Sequence, residues 1–222
     1  MGFRVKICGI TQPEQGAAIV RLGASALGFI CVAKTPRYVS PEQIRAVVDY
    51  LSHAQERGLP PELWVDRVGV FVDASVREIE RVATIAHLNS VQLHGAESLE
   101  FCEQLRATLP TIEIIKALRI RTPEALSQAH LYQNRVDTLL LDAYHPNLLG
   151  GTGATLDWSA LAKFRPECPW LLAGGLTPEN VLEAIHLACP HGVDLSSGVE
   201  NAPGDKNLER VAQLFAQLQK IM

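Results

Sequence analysis

The segment Arg4-Val-Lys-Ile-Cys8-Gly9-Ile-Thr11 puts two cations and a thiol on one side of what reads as a short strand. With the period-two alternation of a strand, Val5 and Ile7 point one way and Arg4, Lys6 and Cys8 the other. Gly9 ends the strand and leaves the thiol at its C-terminal tip. A thiol there can serve as a base or nucleophile if it ionises. It can equally be a small buried hydrophobe, since free cysteine is among the most buried residue types. Asp73, His94 and Asp142 each follow a short apolar run in the same manner. Alone, each is a helix cap or a solvated group; converging beside a thiol, they are the parts of general acid–base catalysis. Ala173-Gly174-Gly175-Leu176 and Ser196-Ser197-Gly198 bring backbone amides and hydroxyls suited to an anion. Arg37 carries a guanidinium that can fork onto a carboxylate or phosphate, or else stand in solvent as a loop charge.

The elements that must position these groups alternate regularly. Strands are expected over Arg4–Cys8, Ser25–Cys31, Arg67–Val72, Ser90–Leu93, Ile112–Leu118, Val136–Leu141, Trp170–Ala173 and Gly192–Leu195. Between them helices open at Thr11 (N-cap) with Pro13, at Ser40-Pro41-Glu42, Ser75, Glu97, Thr122-Pro123-Glu124 and Thr177-Pro178-Glu179, with a short one at Trp158–Lys163 and a last one over Lys206–Ile221. The polar stretch His53–Asp66, with Gly58 and Pro60-Pro61, reads as a surface excursion. Eight βα units in 222 residues imply an α/β fold, a closed (β/α)8 TIM barrel with 1–222 as a single catalytic domain. Active sites of such barrels form at the C-terminal ends of the strands, and a phosphate is commonly held by the loops after the seventh and eighth strands. Cys8, Asp73, His94 and Asp142 fall at such ends. Parity turns Gln92 and His94 inward with Val91 and Leu93 outward, and turns Asp142 inward with Leu139 and Leu141 outward. Both glycine-bearing segments fall on the two phosphate loops, so Arg37, on the other side, suits a second anion. Lys6 reads mainly as a structural cation that could pair with an acid inside the barrel and lower the thiol pKa, and Lys116 on the fifth strand is open to the same two readings. Gly150-Gly151-Thr152-Gly153 lacks the Lys-Ser/Thr ending of a nucleotide loop and reads as a lid-like loop over the site.

Composition narrows the classes of partner. Net charge is −4 with pI near 6.0, and the basic residues do not cluster, so neither nucleic acid nor an anionic membrane is indicated. Five cysteines without CxxC spacing read as the reduced thiols of a cytoplasmic protein, neither a disulfide frame nor a zinc site. No apolar run follows the N-terminal charges, so a signal peptide or membrane span is not expected.

Lys6-Ile-Cys8-Gly9-Ile-Thr11, Arg37-Tyr-Val-Ser40, Val91-Gln-Leu-His94-Gly95, Leu141-Asp142, Gly150-Gly-Thr-Gly153 with Asp157-Trp158, the run Leu172 to Val181, and Gly192 to Glu200 with Pro203-Gly204 together resemble phosphoribosylanthranilate isomerase of tryptophan biosynthesis. They occur in family order from residue 6 to about 206. Leu156 and Asn207 depart from the family's usual Phe and acid. The resemblance implies an Amadori rearrangement of a phosphoribosyl aminoaldose without metal or organic cofactor. It implies Asp142 as general acid, Cys8 as general base, Arg37 on the anthranilate carboxylate, and Gly174, Gly175, Ser196, Ser197 and Gly198 on the phosphate. His94 and Asp194 are further substrate contacts. The acid must stay protonated near neutrality, so burial and the approaching substrate should raise the Asp142 pKa; the base must ionise, so Cys8 should sit in a positive field. The partner is then a small phosphosugar, and a monomer is expected with a homodimer as the alternative.

Other phosphosugar barrels fit less well. Indole-glycerol-phosphate synthase needs a strand-tip catalytic lysine and a longer N-terminal extension; a pentose-phosphate epimerase needs paired inward aspartates and histidine ligands for a metal. A non-catalytic phosphate-binding barrel would have no call for Cys8 and Asp142.

Overall fold

The computed structural model describes residues 2–56, 65–120, 125–143 and 158–221. Eight parallel strands, β1 (Arg4–Cys8), β2 (Ala26–Ile30), β3 (Asp66–Phe71), β4 (Ser90–Leu93), β5 (Glu113–Arg119), β6 (Thr138–Asp142), β7 (Trp170–Ala173) and β8 (Gly192–Leu195), pair in chain order and close into a barrel through β8 and β1. Their sequences are near-continuous apolar runs because both faces of each strand are covered. Ala26, Val68, Ile115, Ala117, Leu140, Leu171 and Ala173 fill the interior, while Val5, Ile7, Val91, Leu93, Leu139 and Leu141 pack outward. The expected parity of strands one, four and six therefore holds.

The helices around the barrel are α1 (Pro13–Leu22), α2 (Pro41–Glu56), α3 (Val76–Ala86), α4 (Leu99–Thr108), α5 (Ala125–Tyr132), α6 (Val181–Ala188) and α7 (Leu208–Leu218). Helix α3 shows why they sit there: Ile79, Val82, Ala83 and Ala86 recur at helical spacing and are all buried. Between β6 and β7 the described chain has a 3-10 turn at Trp158–Lys163.

Several boundaries differ from expectation for identifiable reasons. Thr11 does not cap α1; its hydroxyl donates to the Gly204 carbonyl at 2.6 Å, clipping the loop after β1 to the loop after β8. His53 and the residues through Glu56 belong to α2 and Asp66 opens β3, so neither end of the expected excursion is loop; 57–64 lie outside the described residues. The last helix starts at Leu208, because Glu200–Ala202 (β9) and Asp205–Lys206 (β10) form a small hairpin. Pro203-Gly204 makes its turn, and Gly204 at φ +85° takes the left-handed position that a type II turn needs after proline. Asn207, in place of the family's usual acid, caps α7 by accepting from the Arg210 amide at 2.9 Å. The expected Thr122-Pro123-Glu124 cap and the Gly150–Gly153 loop lie outside the described residues.

The N-terminal end of the barrel is closed by an ionic cluster. Arg4 binds both Glu113 and Asp66, and Glu113 also accepts from Ser90 and Thr138 at 2.6 and 2.8 Å. Burial pushes the Glu113 carboxyl up, but these donors outweigh it and hold it below the ordinary carboxylate range.

Candidate active site at the C-terminal mouth of the barrel

At the opposite end the barrel opens into a cavity of about 300 Å³. Cys8 lines it from the tip of β1, Asp194 from β8, Asp142 from the end of β6, and Gln92 and His94 from β4 and the residue just after it. Arg37 lines it from the loop after β2. Gly174 and Gly175 from the β7 loop and Ser196, Ser197 and Gly198 from the β8 loop complete that side of the wall. Asp73 is not among the lining residues. Its carboxylate accepts from the Ala96 amide at 2.7 Å, tying the β3 and β4 loops together.

Cross-strand register explains the convergence. Asp142, Ala173, Asp194 and Lys6 are successive partners across β6, β7, β8 and β1, and Cys8 stands one inward position beyond Lys6. The Lys6 ammonium is fully buried and reaches both Asp194 carboxylate oxygens at 3.0 Å. Burial pulls Lys6 down, but Asp194 and Cys8 more than offset it and its pKa rises. Lys116 has a different partner and place: its ammonium meets Glu97 at 2.7 Å and the Gly95 carbonyl at 2.8 Å, away from the cavity. Glu97, expected to begin the fourth helix, is thus a buried counter-ion.

Cys8 is only 6% exposed, and the exposed part faces the cavity. The expected positive field exists, but burial outweighs it. Burial, the larger effect, lifts the thiol above its ordinary value; Lys6 and Lys206 pull it down, and Asp194 pushes it up. The neighbouring strand leaves the sulfur its space. A Cβ at Gly28 would lie 2.6 Å from the Cys8 sulfur and 3.0 Å from the Lys6 ammonium. Asp142 has its side chain 27% exposed at the mouth and stands 3.7 Å from His94 Nε2, too far for a hydrogen bond. The carboxyl is therefore partly buried. The other ring nitrogen of His94 lies 3.3 Å from the Gln92 amide nitrogen.

The two glycine-bearing loops are built against each other. Gly174 and Gly175 adopt φ +95° and +65°, which suits residues without a Cβ. A Cβ at Gly198 would overlap the Leu176 carbonyl, so the β8 loop can approach the β7 loop only with glycine there. Ser197–Val199 forms a single 3-10 turn, and the Ser196 hydroxyl donates to the Cys8 carbonyl at 3.1 Å.

Arg37 is held rather than loose. Its Nε and Nη2 bind the Glu200 carboxylate at 2.6 to 3.1 Å, and the Glu200 side chain is 4% exposed. Glu200 also accepts from the Lys206 ammonium at 2.7 Å. Burial raises the Glu200 carboxyl, and these two cations outweigh it, so its pKa falls. Sequence reasoning assigned no role to Glu200, Lys206 or Gln92. The Pro203-Gly204 turn between an acid and a base was the one signal that could have revealed the first two, because a hairpin brings its flanks together.

Fold and cavity together define a (β/α)8-barrel enzyme with an enclosed small-molecule site at the C-terminal ends of its strands. Residues 5–217 match the family model for N-(5'phosphoribosyl)anthranilate (PRA) isomerase. The chain is 57% identical over 218 residues to N-(5'-phosphoribosyl)anthranilate isomerase of Gloeothece citriformis, covering 98% of this chain and 94% of that one. The crystal structure of phosphoribosyl anthranilate isomerase from Thermotoga maritima superposes with a TM-score of 0.83 at 39% identity, covering all of both chains. A second crystal structure of such an isomerase, in complex with reduced 1-(o-carboxyphenylamino)-1-deoxyribulose 5-phosphate, gives 0.79 at 36% identity, again covering both chains fully. The chain belongs to the N-(5'-phosphoribosyl)anthranilate isomerase family, the intramolecular aldose–ketose isomerases of tryptophan biosynthesis.

Proposed function

We propose that the cavity carries out the Amadori rearrangement of N-(5-phospho-β-D-ribosyl)anthranilate to 1-(2-carboxyphenylamino)-1-deoxy-D-ribulose 5-phosphate, with Asp142 as general acid and Cys8 as general base. The observation that carries this assignment is that one cavity is lined by the β1 thiol, the β6 carboxyl and both glycine-bearing loops. Asp142 gives a proton to the ribose ring oxygen as the C1–O bond breaks, leaving a protonated Schiff base between C1 and the anthranilate nitrogen. Cys8, as thiolate, takes the proton from C2. The resulting enolamine tautomerises to the ketone. One proton given and one taken leave the substrate isomerised without change of oxidation state overall. The β7 and β8 loops hold the 5-phosphate through Gly174, Gly175, Ser196, Ser197 and Gly198, and Arg37 holds the anthranilate carboxylate. His94 and Asp194 face the sugar between these anchors.

No described helix is long and apolar enough to cross a membrane. The reduced-thiol pattern supports a cytoplasmic enzyme, and we take 1–222 to act as one catalytic domain and as a monomer.

The decisive measurement is the decay of phosphoribosylanthranilate fluorescence, with EDTA added in parallel. General acid–base groups contribute roughly 10²–10⁴-fold each, so Cys8→Ala and Asp142→Ala should each lose turnover on that scale while keeping the wild-type far-UV spectrum. Wild-type kcat in Cys8→Ala would remove the thiol from the mechanism. Failure of the wild-type gene to rescue a tryptophan auxotroph lacking this isomerase would count against the substrate itself.

A further inference from the structure

The second cation beside the thiol comes from outside the barrel. Lys206, on β10, has a side chain with no exposure, and its ammonium donates to Glu200 at 2.7 Å and approaches the Ser196 carbonyl at 3.4 Å. A Cβ at Gly9, the residue after Cys8, would lie 3.4 Å from that ammonium, 3.4 Å from Ser196 Oγ and 3.0 Å from Arg37 Cδ. The hairpin therefore delivers a buried positive charge to the backbone that carries the thiol.

Counting charge around Cys8 by element shows where positive charge remains. On its own strand Lys6 is positive and draws the thiol down, and Asp194 on β8, which contacts it with both oxygens at 3.0 Å, offsets part of that pull. On the hairpin and the β2 loop, Lys206 and Arg37 share the single carboxylate of Glu200, so that group carries one net positive charge. Cys31, just after β2, is a thiol pushed up to about 12 and stays neutral. His94 and Asp142 face Cys8 only across the cavity.

We propose that Lys206 is a positioning residue that stabilises the Cys8 thiolate, with Glu200 sharing its charge between Lys206 and Arg37. The assignment deepens the reading of Cys8 as the base and rests on it. The same carboxylate then ties the base to Arg37, the anchor of the substrate's far anion, and explains why a hairpin outside the barrel is fastened to the β1 loop through Thr11 and Gly204.

The test is the pH dependence of iodoacetamide alkylation of the 222-residue chain, followed at the Cys8 peptide by mass spectrometry so that the other four cysteines do not contribute. A unit charge a few ångströms away in a partly buried site is worth at least about one pH unit. Lys206→Met should raise the Cys8 midpoint by about that much and slow alkylation near pH 7.5 about tenfold, and Lys206→Arg should restore most of it. Glu200→Gln should move the midpoint down, because it removes the compensating negative charge. A role in packing alone would leave both midpoints unchanged or move them in the same direction, and either result overturns the proposal. If Lys206→Met does not fold, the Glu200→Gln midpoint decides: a fall supports the assignment, and no change or a rise overturns it. Turnover profiles measured on the same variants separate the two readings. Alkylation midpoints that shift while the pH profile of kcat/KM does not would keep Lys206 in its role and remove Cys8 from the chemistry.

Discussion

A guanidinium that is already bound can still be a binding group if the bond uses only one of its edges. Glu200 takes Arg37 Nε and Nη2, which orients the planar fork and fixes the stem before any ligand arrives. On the proposed reading the remaining edge meets the anthranilate carboxylate, an interaction made alike in the ground state and the transition state. Arg37→Ala should therefore raise KM about tenfold or more with a smaller change in kcat, as expected for loss of uniform binding. Initial rates over a range of phosphoribosylanthranilate concentrations check this, and an unchanged KM would move the carboxylate elsewhere. Cys8 and Asp142 stood out in the sequence by type and strand-end position, and Arg37 as a guanidinium in the loop after β2. Glu200 and Lys206 did not, since what matters about them is whom they touch after a turn reverses the chain.

Between residue and molecule, the neighbouring strand decides whether the thiol can occupy its place. Cys8 and Gly28 are register partners on β1 and β2, and Gly28 points inward. A methyl group there would fall 2.6 Å from the sulfur and 3.0 Å from the Cys8 Cα, and the second of these is backbone that yields little. Gly28→Ala should displace the sulfur and cut kcat by roughly 10²-fold, the scale of a misplaced general base, while costing only about 1–3 kcal/mol of stability as an overpacked site. Stopped fluorescence assays beside a thermal melt test both halves; full activity with an intact fold would show that the strand pair tolerates the methyl. The strands were legible because short apolar runs bounded by turn residues, such as β6 and β7, can hardly be read otherwise, and counting back from the polar residue at a strand tip gave the inward parity. The hairpin of β9 and β10 was not legible, since strands of 3 and 2 residues carry no period to read.

At the scale of the whole barrel, ionic groups that take no part in the proposed chemistry hold the ends of the strands. Lys116 and Glu97 have side chains 1% and 2% exposed, and breaking a buried pair leaves one charge unpaired. Lys116→Met should lower stability by about 3–5 kcal/mol and leave the KM for phosphoribosylanthranilate near wild type; urea titration with parallel kinetics gives both numbers. The plug at the other end predicts a pH dependence. The folded protein holds Glu113 below its ordinary pKa, so the carboxylate contributes stability that is fully present above the unfolded value near 4.3. That contribution is lost as pH falls through the lower folded value. The melting temperature of wild type should exceed that of Glu113→Gln by most near neutrality, and the gap should close in acid below the ordinary carboxylate range. A gap that widened as pH fell would reverse the sign of this linkage.

By itself the sequence determined the closed barrel, which strand ends carry chemistry and which loops are shaped for an anion. These follow from periodicity, turn residues and strand parity, all of them local properties of the chain. Only the tertiary structure decided the charge around Cys8 and the exposure of Asp142. Both depend on groups far apart in the chain, Lys6 against Asp194 and Lys206 and Arg37 against one Glu200. Whether a thiol ionises is set by burial and by the sum of charges a few ångströms away, and no local pattern in the sequence contains that sum.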